Sequence, residues 1–216
     1  MRSYGEYCSV AKALDLVGDR WSLLIVRELL ILGGRRFGEL QDGLPGIATN
    51  LLTERLRHLA ESGVLGRDEA GRYTLTPWGE LLAEPVYALA RWGAPLMVTK
   101  EDEESFRGHW LAAPITFIFG GHDPGRPALE AEIRAVGDGP ITLKSAGGVV
   151  TFQPGPAAAP DLVISGPPDA IIGLLAGRLD ETAAAGLGVS VLGNLAPLAR
   201  LRQADWLTGP EIYTPR

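Results

Sequence analysis

Apolar positions in the first hundred residues recur with a helical period. Trp21, Leu24, Ile25, Leu29 and Leu32 fall at i, i+3, i+4, i+8 and i+11, one stripe of a helix that Gly33-Gly34 ends. Ahead of it, Ser9 to Val17 predicts a shorter helix closing at Gly18, with Asp19 placed to cap the next one. Phe37, Leu40 and Leu44 mark a third, short helix, closed by the turn Gly43-Leu44-Pro45-Gly46. From Ala48 to Ser62 a fourth helix carries Leu52, Leu56 and Leu59 on one side and Thr49, Asn50, Thr53 and Arg57 on another, and it stops at Gly63. Val64 to Arg67 and Arg72 to Leu75 then predict two strands around Asp68-Glu69-Ala70-Gly71, a β-hairpin with arginine on both arms. Thr76 before Pro77 is an N-cap with proline at the first helical position, so a further helix runs to about Val98, with Leu82, Leu89, Trp92 and Leu96 on one face. Pro85 either kinks that helix or marks its effective start.

The texture changes at Thr99 to Ser105, a polar and acidic stretch that places a domain boundary. Beyond it, short β-rich runs alternate with Gly and Pro clusters. Ile115 to Phe119 predicts a strand, as do Leu129 to Val136, Ile141 to Lys144, Val149 to Phe152 and Leu162 to Ser165. Ala170 to Ala176 and Asn194 to Gln203 predict helices, and the Pro/Ala tract from Gln153 to Pro160 a loop. The class is α+β: an amino-terminal winged helix-turn-helix, residues 1–98, a linker at 99–106, and a carboxy-terminal antiparallel sheet with helices over 107–216.

Charge and cysteine content narrow the possibilities. The 216 residues hold 20 basic and 26 acidic side chains, a net charge of −6, with 11 and 12 of these in residues 1–98. The acidity therefore lies mostly in the second half, and the balance argues against coating nucleic acid by bulk charge without excluding a local basic face. A single cysteine, Cys8, excludes an intrachain disulfide framework and any zinc site needing several thiolates. With no signal-like start and no run of ~18 apolar residues, the expected compartment is the cytoplasm, with no membrane partner.

Enzymatic readings find little support. His58, His109 and His122 lack metal-ligand spacing, and Gly33 to Gly38 lacks the Lys-Ser/Thr of a phosphate loop. No Gly-x-Ser-x-Gly elbow occurs. No catalytic residue, metal or cofactor is expected. Short hydrogen-bonding side chains with one arginine, on the exposed side of a helix that follows a tight turn, suit the reading of base edges. Periodicity alone also fits a helical domain whose polar face is merely solvated.

Over residues 6–97 the chain resembles the HxlR-type bacterial transcriptional regulators. The resemblance rests on Cys8 before the first helix, Gly18-Asp19-Arg20-Trp21-Ser22-Leu23-Leu24-Ile25, Arg36-Phe37-Gly38-Glu39-Leu40 and Leu44-Pro45-Gly46-Ile47. It continues through Leu52-Thr53-Glu54-Arg55-Leu56, Tyr73-Thr74-Leu75-Thr76-Pro77-Trp78-Gly79 and Trp92-Gly93. It implies a homodimer on a short inverted repeat of double-stranded DNA, with the 48–62 helix in the major groove and the hairpin at the flanking backbone. Thr49, Asn50, Thr53 and Arg57 are then expected at base edges or nearby phosphates, and Arg35, Arg36, Arg67 and Arg72 at the backbone. Each arginine also has Glu54, Glu61, Asp68 or Glu69 within reach as an ordinary ion-pair partner. Ala48 departs from the family's small hydroxyl residue. Some family members sense oxidants or electrophiles through a cysteine at the Cys8 position, which is also readable as a small, half-buried hydrophobe.

Residues 107–205 are similar in spacing to the sterol-carrier-protein-like lipid-binding domain, through Pro160 to Gly166, Leu174 to Leu179, Gly186 and Val191 to Asn194. That likeness implies an apolar tunnel for a hydrophobic small-molecule effector, lined by Phe117, Phe119 and Leu174, although the same side chains can simply fill a core. The expected function is a transcriptional regulator, a repressor, modulated by such a ligand. The rival is a lipid carrier or protein-interaction protein that uses the winged helix only to dimerise.

Overall fold

The structure, a computed structural model, describes residues 3–97 and 104–202. Val98 and Gln203, the expected ends of two helices, lie outside the described residues, as does most of the expected linker, 99–103. The chain divides into two compact units, Met1–Ala88 and Leu89–Arg216, and its class is α+β.

In the first unit the helices are α1 (Ser9–Val17), α2 (Ser22–Leu32), α3 (Phe37–Gly43) and α4 (Thr49–Glu61). The hairpin follows, β1 (Leu65–Arg67) and β2 (Tyr73–Leu75), antiparallel with Gly66 opposite Thr74. Arg35, in the turn after α2, pairs its backbone with Tyr73 in both directions, at 3.0 and 2.8 Å, so the hairpin is stitched to the helical part. One core joins Ile25, Val26 and Leu29 of α2 to Leu40, to the three leucines of α4, and to Val64 and Leu65. Gly63 makes the sharp exit from α4 at φ +75°, a conformation that a side chain would strain.

The expected single helix over 76–98 is instead two, α5 (Pro77–Glu80) and α6 (Ala83–Gly93), followed by a 3₁₀ turn at Ala94–Leu96. Pro85 supplies the reason. It has no N–H to give the Leu81 carbonyl, so the helix cannot run through, but its position near the start of α6 needs none. Thr76 caps α5 as its sequence suggests, accepting the Gly79 N–H at 3.0 Å.

The second unit is built on a five-stranded sheet in the order β5-β4-β3-β6-β7. The strands are β3 (Leu129–Ala135), β4 (Ile141–Ala146), β5 (Val149–Pro154), β6 (Leu162–Gly166) and β7 (Ser190–Gly193). All neighbours are antiparallel except β3 and β6. The sheet is thus mostly antiparallel, as expected, with one parallel pair that the sequence did not suggest. After the β3-β4-β5 meander the chain must cross back to reach the free edge of β3, and the Pro/Ala tract is that crossover. Carboxylates on β3 hold it: Glu132 accepts the Ala157 N–H at 2.9 Å and Glu130 the Ala158 N–H at 3.2 Å. Helices α8 (Pro168–Leu175) and α9 (Glu181–Gly186) lie between β6 and β7 in the chain.

Ile115 to Phe119 is not a strand: Ile115 to Ile118 end α7 (Ala112–Ile118), and Phe119 is its C-cap residue. Leu111, Ile115 and Ile118 stand at i, i+4 and i+7 and are all buried, so the run satisfies a helical period as well as an alternating one. Thr116 satisfies its hydroxyl within the helix by donating to the Ala112 carbonyl one turn back, at 2.7 Å. The closing helix is also shorter than expected. It is the single turn α10 (Ala196–Ala199), started by Asn194, which accepts the Ala196 N–H at 2.9 Å.

Truncating a buried leucine of α4 removes its packing and leaves a cavity in the first unit's core. Leu56→Ala is expected to cost about 2–5 kcal/mol, read as a lower urea midpoint for the helical unit with an unchanged slope.

Candidate nucleic-acid interface

The surface built by α3, the turn Gly43-Leu44-Pro45-Gly46 and α4 depends on how α4 is rotated about its axis. Leu52, Leu56 and Leu59 are at most 1% exposed. With that stripe inside, Thr49, Asn50, Thr53 and Arg57 all come out exposed. Arg57 is 69% exposed and stands 3.6 Å from Glu61 one turn on, a contact too solvated to hold it firmly.

Arg55 takes the opposite direction. It is only 9% exposed, its Nη1 lies 3.5 Å from Asp19 Oδ2, and it also pairs with Glu54. Asp19 in turn organises the start of α2. Its Oδ1 accepts from the backbone of Trp21 at 2.8 Å and of Ser22 at 3.1 Å, and its Oδ2 accepts from the Ser22 hydroxyl. Burial alone would raise the Asp19 pKa, but the Ser22 and Trp21 hydrogen bonds and the Arg55 charge outweigh it and hold the carboxyl below its ordinary value.

At the first turn of α4, Ala48 is the N-cap and makes no side-chain cap bond. The neighbouring hydroxyl, Thr49 Oγ1, accepts from Gln41 Nε2 of α3 at 2.7 Å. Thr53 donates its hydroxyl to the Thr49 carbonyl at 2.9 Å, and Asn50 Oδ1 accepts the Leu51 N–H at 2.9 Å. Gln41 was absent from the sequence expectations. Its partner is eight positions away across a turn, and no spacing rule points to that pair.

The four other arginines divide into two kinds. Arg35 gives its guanidinium to the Gly34 carbonyl at 3.0 Å, whereas Arg36 is exposed and uses its backbone N–H, donated to Glu39 at 2.7 Å, to start α3. The two hairpin arginines are engaged within the hairpin. Arg67 donates to the Gly71 carbonyl at 2.9 Å and to the Tyr73 hydroxyl at 2.6 Å, with its guanidinium carbon 4.1 Å from the Tyr73 ring centre. Arg72 donates to Asp68 through Nε at 2.7 Å and through its backbone at 2.8 Å, and these bonds hold the Asp68 carboxyl below its ordinary pKa.

Cys8 is the exposed N-cap residue of α1, where hydrogen bonding from the Ala11 and then the Val10 backbone lowers its thiol pKa. In the second unit Phe119 and Leu174 are buried in the packed core, at 1% and 3% exposure; Phe117 belongs to α7, with its side chain outside the described residues. Among the described residues no group of three or more His, Cys, Asp or Glu side chains could hold a metal, and no helix is long and apolar enough to cross a membrane.

A family model described as HxlR-like helix-turn-helix matches residues 16–101. The HTH-type transcriptional regulator sll1512 of Synechocystis sp. is 36% identical over 96 residues, covering 42% of this chain and 70% of that one. YvaP of Bacillus subtilis, also named as an HTH-type transcriptional regulator, is 37% identical over 87 residues, 38% of this chain and 80% of its own. Rv3095 of Mycobacterium tuberculosis is 44% identical over 91 residues, but the match spans only 56% of that protein and 39% of this chain. Among solved structures, quinone-bound YodB from B. subtilis is similar at 32% identity and a TM-score of 0.36, covering 39% of this chain and 94% of that one.

The Asp19 cluster generates a pH-dependent expectation. A carboxyl whose folded pKa is depressed stabilises the fold fully above its unfolded pKa of about 3.9, and that contribution is lost as the pH falls through the folded value. Asp19→Ala is therefore expected to cost about 1–2 kcal/mol at neutral pH, the scale of a lost helix cap. In urea unfolding the gap to the wild type should close as the pH drops below about 3.9; a gap of the same size in acid would mean that the carboxylate charge is not what stabilises.

Proposed function

The chain belongs to the HxlR-like helix-turn-helix family of transcriptional regulators, and from that premise we propose that it is a homodimeric, sequence-specific DNA-binding repressor. Residues 1–98 bind DNA and dimerise in this reading, and residues 107–216 receive a hydrophobic effector. The observation that carries it is the α4 surface: three leucines buried, and Thr49, Asn50, Thr53 and Arg57 exposed together on a helix that follows a tight turn. Short polar side chains and an arginine can reach base edges from a helix in the major groove, while Arg35 and Arg36 beside the hairpin, with Arg67 and Arg72 within it, fix position on the phosphates. Occupying an operator denies the same duplex to polymerase, which is repression in its simplest form.

A second surface supports the homodimer. Val10 and Leu14 of α1 and Trp78 of α5 are exposed, as are Tyr7 before α1 and Leu81 after α5. An apolar groove of about 210 Å³ runs between Leu16, Val17, Trp78, Leu81 and Leu82. An exposed apolar area of this kind is covered most economically by a second copy, and a two-fold pair matches a two-fold operator.

Effector control rests on the likeness of residues 107–205 to a lipid-carrying domain. Since Phe119 and Leu174 are packed in the core, a ligand there must displace core contacts. It acts on DNA affinity only by its different affinity for the two states, typically ~1–3 kcal/mol. The exposed Cys8 thiol, with its lowered pKa, is a second input in this reading, open to oxidants or electrophiles.

Selection of duplexes from a randomised pool by the full chain tests the reading: recovery of an inverted repeat supports it, whereas ligand binding with no preferred duplex favours a carrier. On the selected operator, Arg57→Ala is expected to cost ~1–3 kcal/mol against specific duplex and little against random DNA, while Arg36→Ala weakens both and shallows the salt slope by about one. Placing a charge on the apolar surface, as in Leu81→Glu, is expected to shift the mass measured by analytical ultracentrifugation from dimer to monomer without unfolding the chain.

A further inference from the structure

The first turn of α4 carries a hydrogen-bond polarity that residue types alone do not set. A threonine hydroxyl has one proton and two lone pairs, so an unconstrained threonine reads donors and acceptors alike. Here the two threonines are committed in opposite senses. Gln41 donates to Thr49 Oγ1 at 2.7 Å, which occupies a lone pair and leaves the hydroxyl proton for an outside acceptor. Thr53 gives its own proton to the Thr49 carbonyl at 2.9 Å and retains only lone pairs and a methyl group. Asn50 accepts the Leu51 N–H through Oδ1, leaving both protons of its NH₂ group unspent.

We infer that Gln41 is a positioning residue that fixes Thr49 as a donor, so that Thr49 and Asn50 together select guanine. The inference rests on the reading that α4 enters the major groove. There guanine alone presents two acceptors, N7 and O6; adenine sets a donor beside its acceptor, thymine a methyl beside its acceptor, and cytosine offers a donor. Two outward donors on one helical turn therefore meet their full complement only at guanine. Thr53, one turn further on, is suited to the opposite edge, the N4 amino group of cytosine or the thymine methyl.

The test uses the full chain and a randomised duplex pool, selected in parallel with the wild type, Gln41→Glu, Gln41→Leu and Thr49→Val. The glutamate variant preserves size but accepts the Thr49 proton instead of donating, so a purely structural role for Gln41 would leave base preference unchanged. The wild type is expected to fix guanine at one position of each half-site, and replacing that base with 7-deazaguanine should weaken binding roughly tenfold. Both Gln41→Glu and Thr49→Val are expected to reduce the guanine-over-adenine preference at that position by roughly the same factor, while the other positions are selected as before. Gln41→Leu should relax the same position, and thermal melting of each variant confirms that it is folded. A wild-type half-site without a fixed guanine, or an unaltered guanine preference in folded Gln41→Glu and Gln41→Leu, overturns the inference while leaving the regulator reading in place. A wild type that selects no sequence overturns both.

Discussion

The rotational setting of α4 is the constraint on which the candidate interface depends. Successive residues on a helix are turned by about 100°, so a one-residue error would exchange a leucine for a hydroxyl, an imidazole or a guanidinium in the core. With Leu52, Leu56 and Leu59 virtually sealed from solvent, such an exchange would combine lost apolar burial with an unsatisfied polar group, several kcal/mol in all. The outward direction of Thr49, Asn50, Thr53 and Arg57 thus follows from packing on the opposite side. Nothing on the exposed face itself has to be arranged for them to share it.

Arg55 prevents the leucine stripe from being the whole explanation. A guanidinium beside that stripe and largely buried must be answered by charge or hydrogen bonds, and Asp19 and Glu54 answer it. Two motifs that stand more than thirty positions apart in the chain, Gly18-Asp19-Arg20-Trp21-Ser22 and Leu52-Thr53-Glu54-Arg55-Leu56, are therefore one interaction. The carboxylate that starts α2 also faces the middle of α4, so the orientations of α2 and α4 are tied to a shared group.

Much of the first unit was legible in the sequence because its signals are local. Helix ends at Gly18, Gly33 and Gly63, the Thr76-Pro77 start and the alternation of the hairpin each depend on a few neighbouring residues. Ile115 to Phe119 failed for the same reason in reverse: five residues with mixed apolar character satisfy both periods, and only the burial of Leu111, Ile115 and Ile118 on a single face decides for a helix. The parallel β3-β6 pair was invisible because register across a crossover is a tertiary fact. In the candidate interface the outward face of α4 and Asp68 as a partner within reach of a hairpin arginine could be read from the sequence, whereas the Gln41–Thr49 bond and the folding of Arg67 onto Tyr73 could not. They depend on where a turn delivers one side chain to another.

Those hairpin partners change how the charges should be weighed. Of the ion-pair partners within reach of Arg67 and Arg72, Asp68 is taken by Arg72 at 2.7 Å, while Arg67 is folded onto Tyr73 instead. With Asp68 and Glu69 at its tip, the hairpin carries two basic and two acidic side chains. Its field a Debye length away, about 8 Å at physiological ionic strength, is accordingly weak. Any anion approaching Arg72 must compete with a carboxylate already in place. In a chain of net charge −6, the exposed face of α4 differs from the hairpin in kind: its hydrogen-bonding groups are directed by packing rather than gathered by charge.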